Sequence, residues 1–502
     1  MSSQPINDVI IAGRDAALWL SACVLQTALK PSHVRVTAIE LPTHLLAPDA
    51  YATLPALEAL HNLLVIDEAA LLGATRGAFS FGQNFAAAPG KHASFFHAYG
   101  AYGAPVDQKA FFPHWLRARS FGLQVALEDF SLTAAAAKHG RMLIPDAATE
   151  TYGRTDYGYH LPALDYVRVL RRLAQRRGVV IHQAMAIGCT LDAHTGAISA
   201  VTLDDNSRIE GQLFIDATGP EALLIGSALH GRRESWREYF PVDQMVVASG
   251  KRFSSIPPYA EIRACENGWG ALHPGRSRTH VLQAYSSALC SMSAAVQATA
   301  NVSGLILQDA AIRICDPGVR ASAWERNCVA IGGAACTFDP VHSVDLHAVQ
   351  MALVNFLSLF PVASEYSAER IEFNRVSRLG FERLRDFQSA YYRLNRYGDS
   401  AFWRHARESR ISAELAHKIE TFTARGEVPL YEHETFALES WLALFIGHGL
   451  VPETHDPMAD RTPPETMRAE LRRILGFIKD KVLEQTTHDS YLQSVCDGAR
   501  RP

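Results

Sequence analysis

Between Asp339 and His347 the chain reads "DPVHSVDLH". Asp339, His342, Asp345 and His347 are four side chains that could ligate a metal or move a proton, crowded into nine residues. The spacing argues against a metal. His342 and His347 are five apart, which matches neither the i, i+3 nor the i, i+4 pair that one helical face presents. Asp345 stands where the next apolar run begins, and an acid there reads as a helix-start residue satisfying the helix itself. No metal site is expected from this cluster.

The second chemically loaded stretch is "NDVIIAGRDAALWLSACVLQ", from Asn7 to Gln26. An apolar strand runs into a turn, and the turn opens a helix. A second strand, "HVRVTAIE", ends in Glu40 about 20 residues past the turn. This is the layout of a dinucleotide-binding βαβ unit, whose glycines admit a pyrophosphate and whose acid takes the ribose hydroxyls. Of the glycine slots, Ala12 fills the first, Arg14 the second and Ala17 the third, with Gly13 between. Arg14 puts a guanidinium where phosphate must pass; it either blocks the site or grips it. Asp15 beside it repels the same phosphate at the helix N-terminus.

The elements that must position these residues follow from periodicity. "LDYVRVLRRLAQRRG" is an amphipathic helix stopped by Gly178. "VVIHQAMAIGCTLD", "GAISAVTLDD" and "SRIEGQLFIDATG" read as the strands of a meander. "NCVAIGGAACTFDP" is a buried strand ending in glycines, followed by the long apolar helix of "DLHAVQMALVNFLSLF". From about 362 the chain is mostly helical. The expected division is an α/β module over 1–360 and a helical module over 361–502.

Bulk properties exclude other classes. The 502 residues suit two or three packed modules, 48% are hydrophobic, and the net charge of −4 offers no field for nucleic acid or an anionic membrane. The eight cysteines are scattered and form no CxxC pair, as expected of buried thiols in a reducing cytoplasm. "MSSQPINDVIIAG" has no basic n-region, and no run of about 18 apolar residues occurs, so neither a signal peptide nor a membrane span is expected.

The chain resembles the flavin-dependent tryptophan halogenases over nearly its whole length. The landmarks are "VIIAGRDAALWLSA", "YATLPALEAL", "FFHAYGAYGAPVD", "FFPHWLRAR", "LFIDATGPEALLI", "NCVAIGG" with "DPVHS", "LRDFQSAYYRLNRYGDSAFW" and "SWLALFIGHGLVP". The resemblance implies a box-shaped, Rossmann-like FAD module with a mixed sheet and a helical, pyramid-like substrate module. It also implies reduced FAD from a separate flavin reductase, dioxygen, halide and a small indole-type aromatic substrate. Members of the fold often pair, so a homodimer, or a heteromer with an intact halogenase, is among the implied partners. In that family hypohalous acid travels to a catalytic lysine, and a glutamate assists removal of the ring proton.

Carried onto this sequence, the resemblance assigns Gly13, Arg14, Ala17, Glu40, Asp216, Gly219, Gly332 and Gly333 to the cofactor. The last two stand where backbone approaches the isoalloxazine, and "DATG" (216–219) is the second strand end near the flavin. The lysine's place is taken by Ser80 in "GAFSFGQNF", with Lys91 and Lys109 the next lysines along. The family's "EPLES" is "DPVHS", so His342 replaces the glutamate and Ser343 is retained. A histidine serves as a base near neutral pH. Val344 and Asp345 fall at the helix start associated with halide. The Trp-rich W-x-W-x-I-P segment is "WGALHP": Trp269 and Pro274 remain, while Ala271 and His273 replace the second tryptophan and the isoleucine. Trp115, Asp386, Trp403, Trp441, Gly447 and Gly449 are kept as scaffold. Two readings stay open: a flavin enzyme with altered chemistry, as a monooxygenase or atypical halogenase with His342 as base, or a catalytically inactive paralogue that binds a ligand or an intact halogenase.

Overall fold

The run Val9–Ala12 is apolar on both faces, and a strand buried on both sides belongs in the middle of a parallel sheet covered by helices. The computed structural model, which describes residues 6–87, 94–144, 155–361 and 365–498, places β1 (Asp8–Gly13) there. Its neighbours are β2 (Arg35–Glu40) and the strand Leu213–Ala217, both parallel to it. The sheet has six strands, continuing outward through Val180–Gln183 on one side and Cys328–Ala330 and Trp324–Glu325 on the other. Gly13 pairs in register with both Ala217 and Glu40, so the carboxyl ends of the three central strands finish at one level. In open α/β sheets ligands bind in the crevice beyond that edge.

This sheet and its helices α1 (Asp15–Leu29), Ala163–Arg176 and Asp345–Ser358 belong to one of two compact units, formed by 1–75, 161–238 and 315–385. The expected meander is shorter than its sequence suggests. Only Ile187–Leu191, Ile198–Leu203 and Arg208–Glu210 form an antiparallel sheet. The flanking runs, Val180–Gln183 and Leu213–Ala217, join the parallel sheet instead. Their apolar character fitted either role, and pairing with β2 and β1 decided it.

The second unit comprises 76–160, 239–314 and 386–502. Its seven-stranded sheet carries the hairpin strands Ala260–Cys265, Gly268–Pro274 and Arg278–Tyr285 at its centre. Trp115, Trp269, Trp403 and Trp441 are each at most 1% exposed and form its core with Tyr391 and Tyr392. Trp403 donates to Cys265 O at 2.7 Å and Trp269 to Tyr392 Oη at 2.9 Å. Asp386 accepts from Ser412 Oγ at 2.8 Å. Gly447 has no room for a side chain, since a Cβ there would stand 2.3 Å from the Phe95 ring.

Candidate active site

At the end of β1, Gly13 is required by packing. A Cβ on it would lie 2.5 Å from Ala217 O, so nothing larger fits between the two strands. Ala12 is fully buried and keeps a negative φ, so its methyl replaces a glycine hydrogen without backbone strain. Ala17, in the first turns of α1, faces Gly332, which has φ +63 and whose Cβ would stand 3.2 Å from the Ala17 methyl. The lost glycine on the helix is thus matched by a glycine in the opposing turn. Gly333 packs against Pro220 and Gly219 across the same corner.

Arg14 has extended backbone and donates its N–H to Ala217 O at 3.1 Å. Its side chain is only 10% exposed, and Nη1 lies 3.2 Å from Glu221 Oε1. Nη1 also contacts the His44 ring, while Nε is buried without an acceptor. Asp15 adopts φ +57; its carboxylate accepts from the Thr43 hydroxyl and lies 3.4 Å from His44 N. The Tyr51 hydroxyl accepts from Ala16 N–H, and its titration is pushed up by burial and then by the Asp15 carboxylate. Ala16 N–H, the Asp15 carboxylate and Arg14 Nη1 at the start of α1 therefore already have partners within the protein, while Arg14 Nε does not.

Glu40 stands at the end of β2. Arg171 Nε meets its two oxygens at 3.1 and 3.0 Å, and Gln183 Nε2 donates at 3.0 Å. Arg171 in turn lies over the Trp19 ring. Beside them opens a cavity of about 440 Å3 lined by Asp15, Trp19, Glu40, Thr43, Gln183 and Met185. Asp216 is fully buried and accepts four hydrogen bonds of 2.7–3.0 Å, from Thr218 N and Oγ1, Leu224 N and Ile225 N. Burial raises its pKa against those donors. With its oxygens so occupied, Asp216 shapes the turn carrying Gly219 rather than reaching toward a ligand.

The other end of this unit's site is the segment Asp339–Asp345. His342 is 1% exposed with φ +66, and Ser343 follows with φ +52. Two successive non-glycine residues in the left-handed region are strained backbone, of the kind concentrated at functional turns. Asp345 opens the helix Asp345–Ser358; it is exposed at the surface, and the protein packed around its carboxyl raises it to about 6. Burial drives His347 down to about 4. Asp339 is fully buried and accepts from Val341 N at 3.0 Å. Among the described residues no three His, Cys, Asp or Glu side chains converge as a metal set.

Ser80 belongs to the second unit, on the short strand Ala78–Ser80. It is 2% exposed and donates to Gly82 O at 3.2 Å. Lys109 is held by Asp107 at 2.8 Å and Thr462 Oγ1 at 3.3 Å; Lys91 lies outside the described residues. "WGALHP" is a strand buried over its whole length, with His273 5.3 Å from the His160 ring. Sequence reasoning missed Glu221, His44 and Tyr51. Two of them stand in quoted landmarks, Glu221 two residues past Gly219 and Tyr51 at the head of "YATLPALEAL", but neither type announces a contact to a helix N-terminus.

FAD, the cofactor the resemblance implies, fits this unit in part. The glycine approaches and the cavity beside Glu40 suit its two ends. The diphosphate corner fits only with the Arg14 guanidinium turned from Glu221, since that carboxylate and Asp15 both face it.

The tryptophan halogenase family profile matches residues 8–464. The chain is 25% identical to a tryptophan 6-halogenase of Streptomyces albogriseolus, ThaL, over 93% of this chain and 94% of that protein. It is similar in structure to BrvH, a flavin-dependent halogenase from Brevundimonas sp. BAL3, at TM-score 0.92 and 30% identity, covering 98% and 99% of the two chains. Xcc4156, a flavin-dependent halogenase from Xanthomonas campestris, gives TM-score 0.93 at 30% identity with the same coverage. No helix among the described residues is long and apolar enough to cross a membrane. With a Rossmann-like unit, its glycine corner and a match spanning residues 8–464, the chain belongs to the tryptophan halogenase family.

Proposed function

We propose that the protein is a flavin-dependent oxidoreductase of the halogenase type that takes reduced FAD from a separate flavin reductase and acts with dioxygen on an aromatic, indole-type substrate. The observation that carries this reading is the convergence at one sheet edge of Gly13, Glu40, Gly219 and the Gly332–Gly333 pair, in a chain matching flavin-dependent halogenases over 98% of its length. Gly13, Arg14, Ala17 and Gly219 would hold the diphosphate, Glu40 the ribose end, and Gly332 and Gly333 the ring system, with Asp216 fixing the turn beneath. When bound, reduced FAD supplies with dioxygen and halide the hypohalous acid of the family's reaction.

His342 is the proton acceptor in this reading. The arene gains the halogen, the ring proton passes to the imidazole, and the hydroxide released from hypohalous acid leaves as water after protonation. His342 and Ser343 carry left-handed backbone just ahead of the helix Asp345–Ser358.

The test supplies FAD, a flavin reductase, bromide or chloride and a panel of indoles, with products resolved by mass. A halogenated or hydroxylated arene is expected, and Ser80→Lys with His342→Glu raises the halogenated share. Tight FAD binding with no product from any indole refutes the enzymatic reading. The second reading, an inactive paralogue partnering an intact halogenase, is favoured by the buried, internally bonded Ser80. It expects stimulation or capture of an active halogenase by this protein with no turnover of its own.

A further inference from the structure

Glu221 sits two residues beyond Gly219, in the turn after the strand Leu213–Ala217, and its carboxylate folds back toward α1. Oε1 lies 3.2 Å from Arg14 Nη1 and 3.4 Å from His44 Nδ1. Oε2 lies 3.4 Å from the point where a Cβ on Gly219 would stand. The bridge therefore joins Arg14, the residue that caps the start of α1, to the turn at 219–221 that follows the strand Leu213–Ala217.

The bridge is built unevenly. Arg14 is nine-tenths buried and Glu221 is 43% exposed. The carboxylate engages one guanidinium nitrogen, not the two of a bidentate pair, and the buried Nε has no acceptor. A guanidinium offers five donors in a fork that matches carboxylate or phosphate. Here Nη1 is shared between Glu221 and His44, and the buried Nε is left over beside the turn that follows β1. Ala222, next to Glu221, is left-handed at φ +46, so the turn carrying the carboxylate is held against its residues' own preference.

We propose that Glu221 gates the cofactor corner by competing with the diphosphate for Arg14. In the free protein the carboxylate holds the guanidinium; an incoming diphosphate, with more acceptors and more charge, takes it over, and Glu221 swings out to solvent. Arg14 is then the residue that compensates the missing second glycine: it narrows the corner and also supplies the grip. His44, half exposed against both partners, steadies the closed form. The proposal rests on the FAD reading above.

The experiment measures FAD affinity by flavin fluorescence quenching for the full-length protein and for Glu221→Gln, Arg14→Ala and the double variant, with circular dichroism and melting as checks of folding. Glu221→Gln is expected to tighten binding about three- to fivefold, the scale of the partly exposed ion pair it removes. Arg14→Ala is expected to weaken binding by about tenfold or more. In the Arg14→Ala background the Glu221 substitution is expected to change affinity by less than about twofold. Binding by Glu221→Gln where the unaltered protein shows none supports the gate. FAD binding that Glu221→Gln leaves unchanged overturns the gate and leaves the flavin reading standing. Tighter binding by Arg14→Ala also overturns it, because Arg14 would then be only an obstacle. No binding by any of the four folded proteins at about 100 μM, weaker than about −5.5 kcal/mol, removes both the flavin reading and the gate.

Discussion

His448 of "SWLALFIGHGLVP" offers a quantitative check on the core of the second unit. It is 3% exposed and sits among Phe95, Tyr391 and Tyr397, with ring centroids 5.0, 5.5 and 5.7 Å away. Burial, aided by the Arg396 charge, pushes it down to about 3, against an ordinary value near 6.5 in an unfolded chain. Above pH 6.5 the ring is neutral in both states and contributes no pH dependence. As pH falls below 6.5 the unfolded chain takes up a proton that the folded protein refuses, so stability is lost between pH 6.5 and about 3. At pH 5 the difference is about 1.5 pH units of one proton, about 2 kcal/mol. His448→Phe keeps an aromatic ring in an aromatic surround and removes the titration. Urea unfolding of both proteins at pH 7.5 and 5.0 gives the double difference: the variant is expected to gain about 2 kcal/mol on the native protein between the two conditions. A difference independent of pH over that range refutes the assignment of a neutral, buried imidazole.

Lys418 and Glu434 form a buried ion pair at 2.6 Å, 2% and 7% exposed, with the ammonium also over the Trp441 ring at 4.5 Å. Lys418→Met strands the carboxylate and is expected to cost about 3–5 kcal/mol in urea unfolding, while the double change Lys418→Met with Glu434→Gln recovers much of it. Asp216→Asn turns an acceptor of four hydrogen bonds into a group that faces some of those donors with its own N–H; a loss of about 2–4 kcal/mol is expected in the same measurement. Gly13→Ala forces a methyl to within 2.5 Å of Ala217 O, and overpacking of that kind is expected to cost about 1–3 kcal/mol, read as a lowered melting temperature.

The parallel sheet was legible because β1 is apolar on both faces and ends in a turn with an acid 27 residues beyond Gly13 at the end of β2. The helix at Ala163–Arg176 and its stop at Gly178, which has φ +86, follow from periodicity and a single residue. The meander was half legible. Strand-forming residues specify a strand but not its partner, and pairing of Val180–Gln183 with β2 joins residues 143 positions apart. The site was legible in its glycines and in Arg14, whose size is written in its name. Where that guanidinium points was not: Glu221 is 207 residues away in sequence. Glu40 also gave an incomplete picture, since its partner Arg171 lies on a helix whose exposed face resembles any other charged face.

The two helix starts of the first unit share a physical arrangement that bears on any anionic ligand. Asp15 occupies the first turn of α1, and Asp345 the first turn of Asp345–Ser358. Tyr51 feels both carboxylates while its hydroxyl takes Ala16 N–H. A helix N-terminus attracts negative charge, and here each supplies its own. A diphosphate at one or a halide at the other therefore enters against a resident carboxylate rather than into a vacant positive field. Asp15 accepts from the Thr43 hydroxyl, and its carboxylate lies 3.4 Å from the His44 amide nitrogen. Asp345 is raised to about 6 by the protein around it, so mild acid neutralises it. Halide binding at the second helix start should accordingly strengthen as pH falls from 7.5 to 5.5. In Asp345→Asn, which is neutral throughout, that pH dependence should disappear; bromide titration followed by intrinsic fluorescence checks this, and identical pH dependence in both proteins would exclude Asp345 as the competing anion.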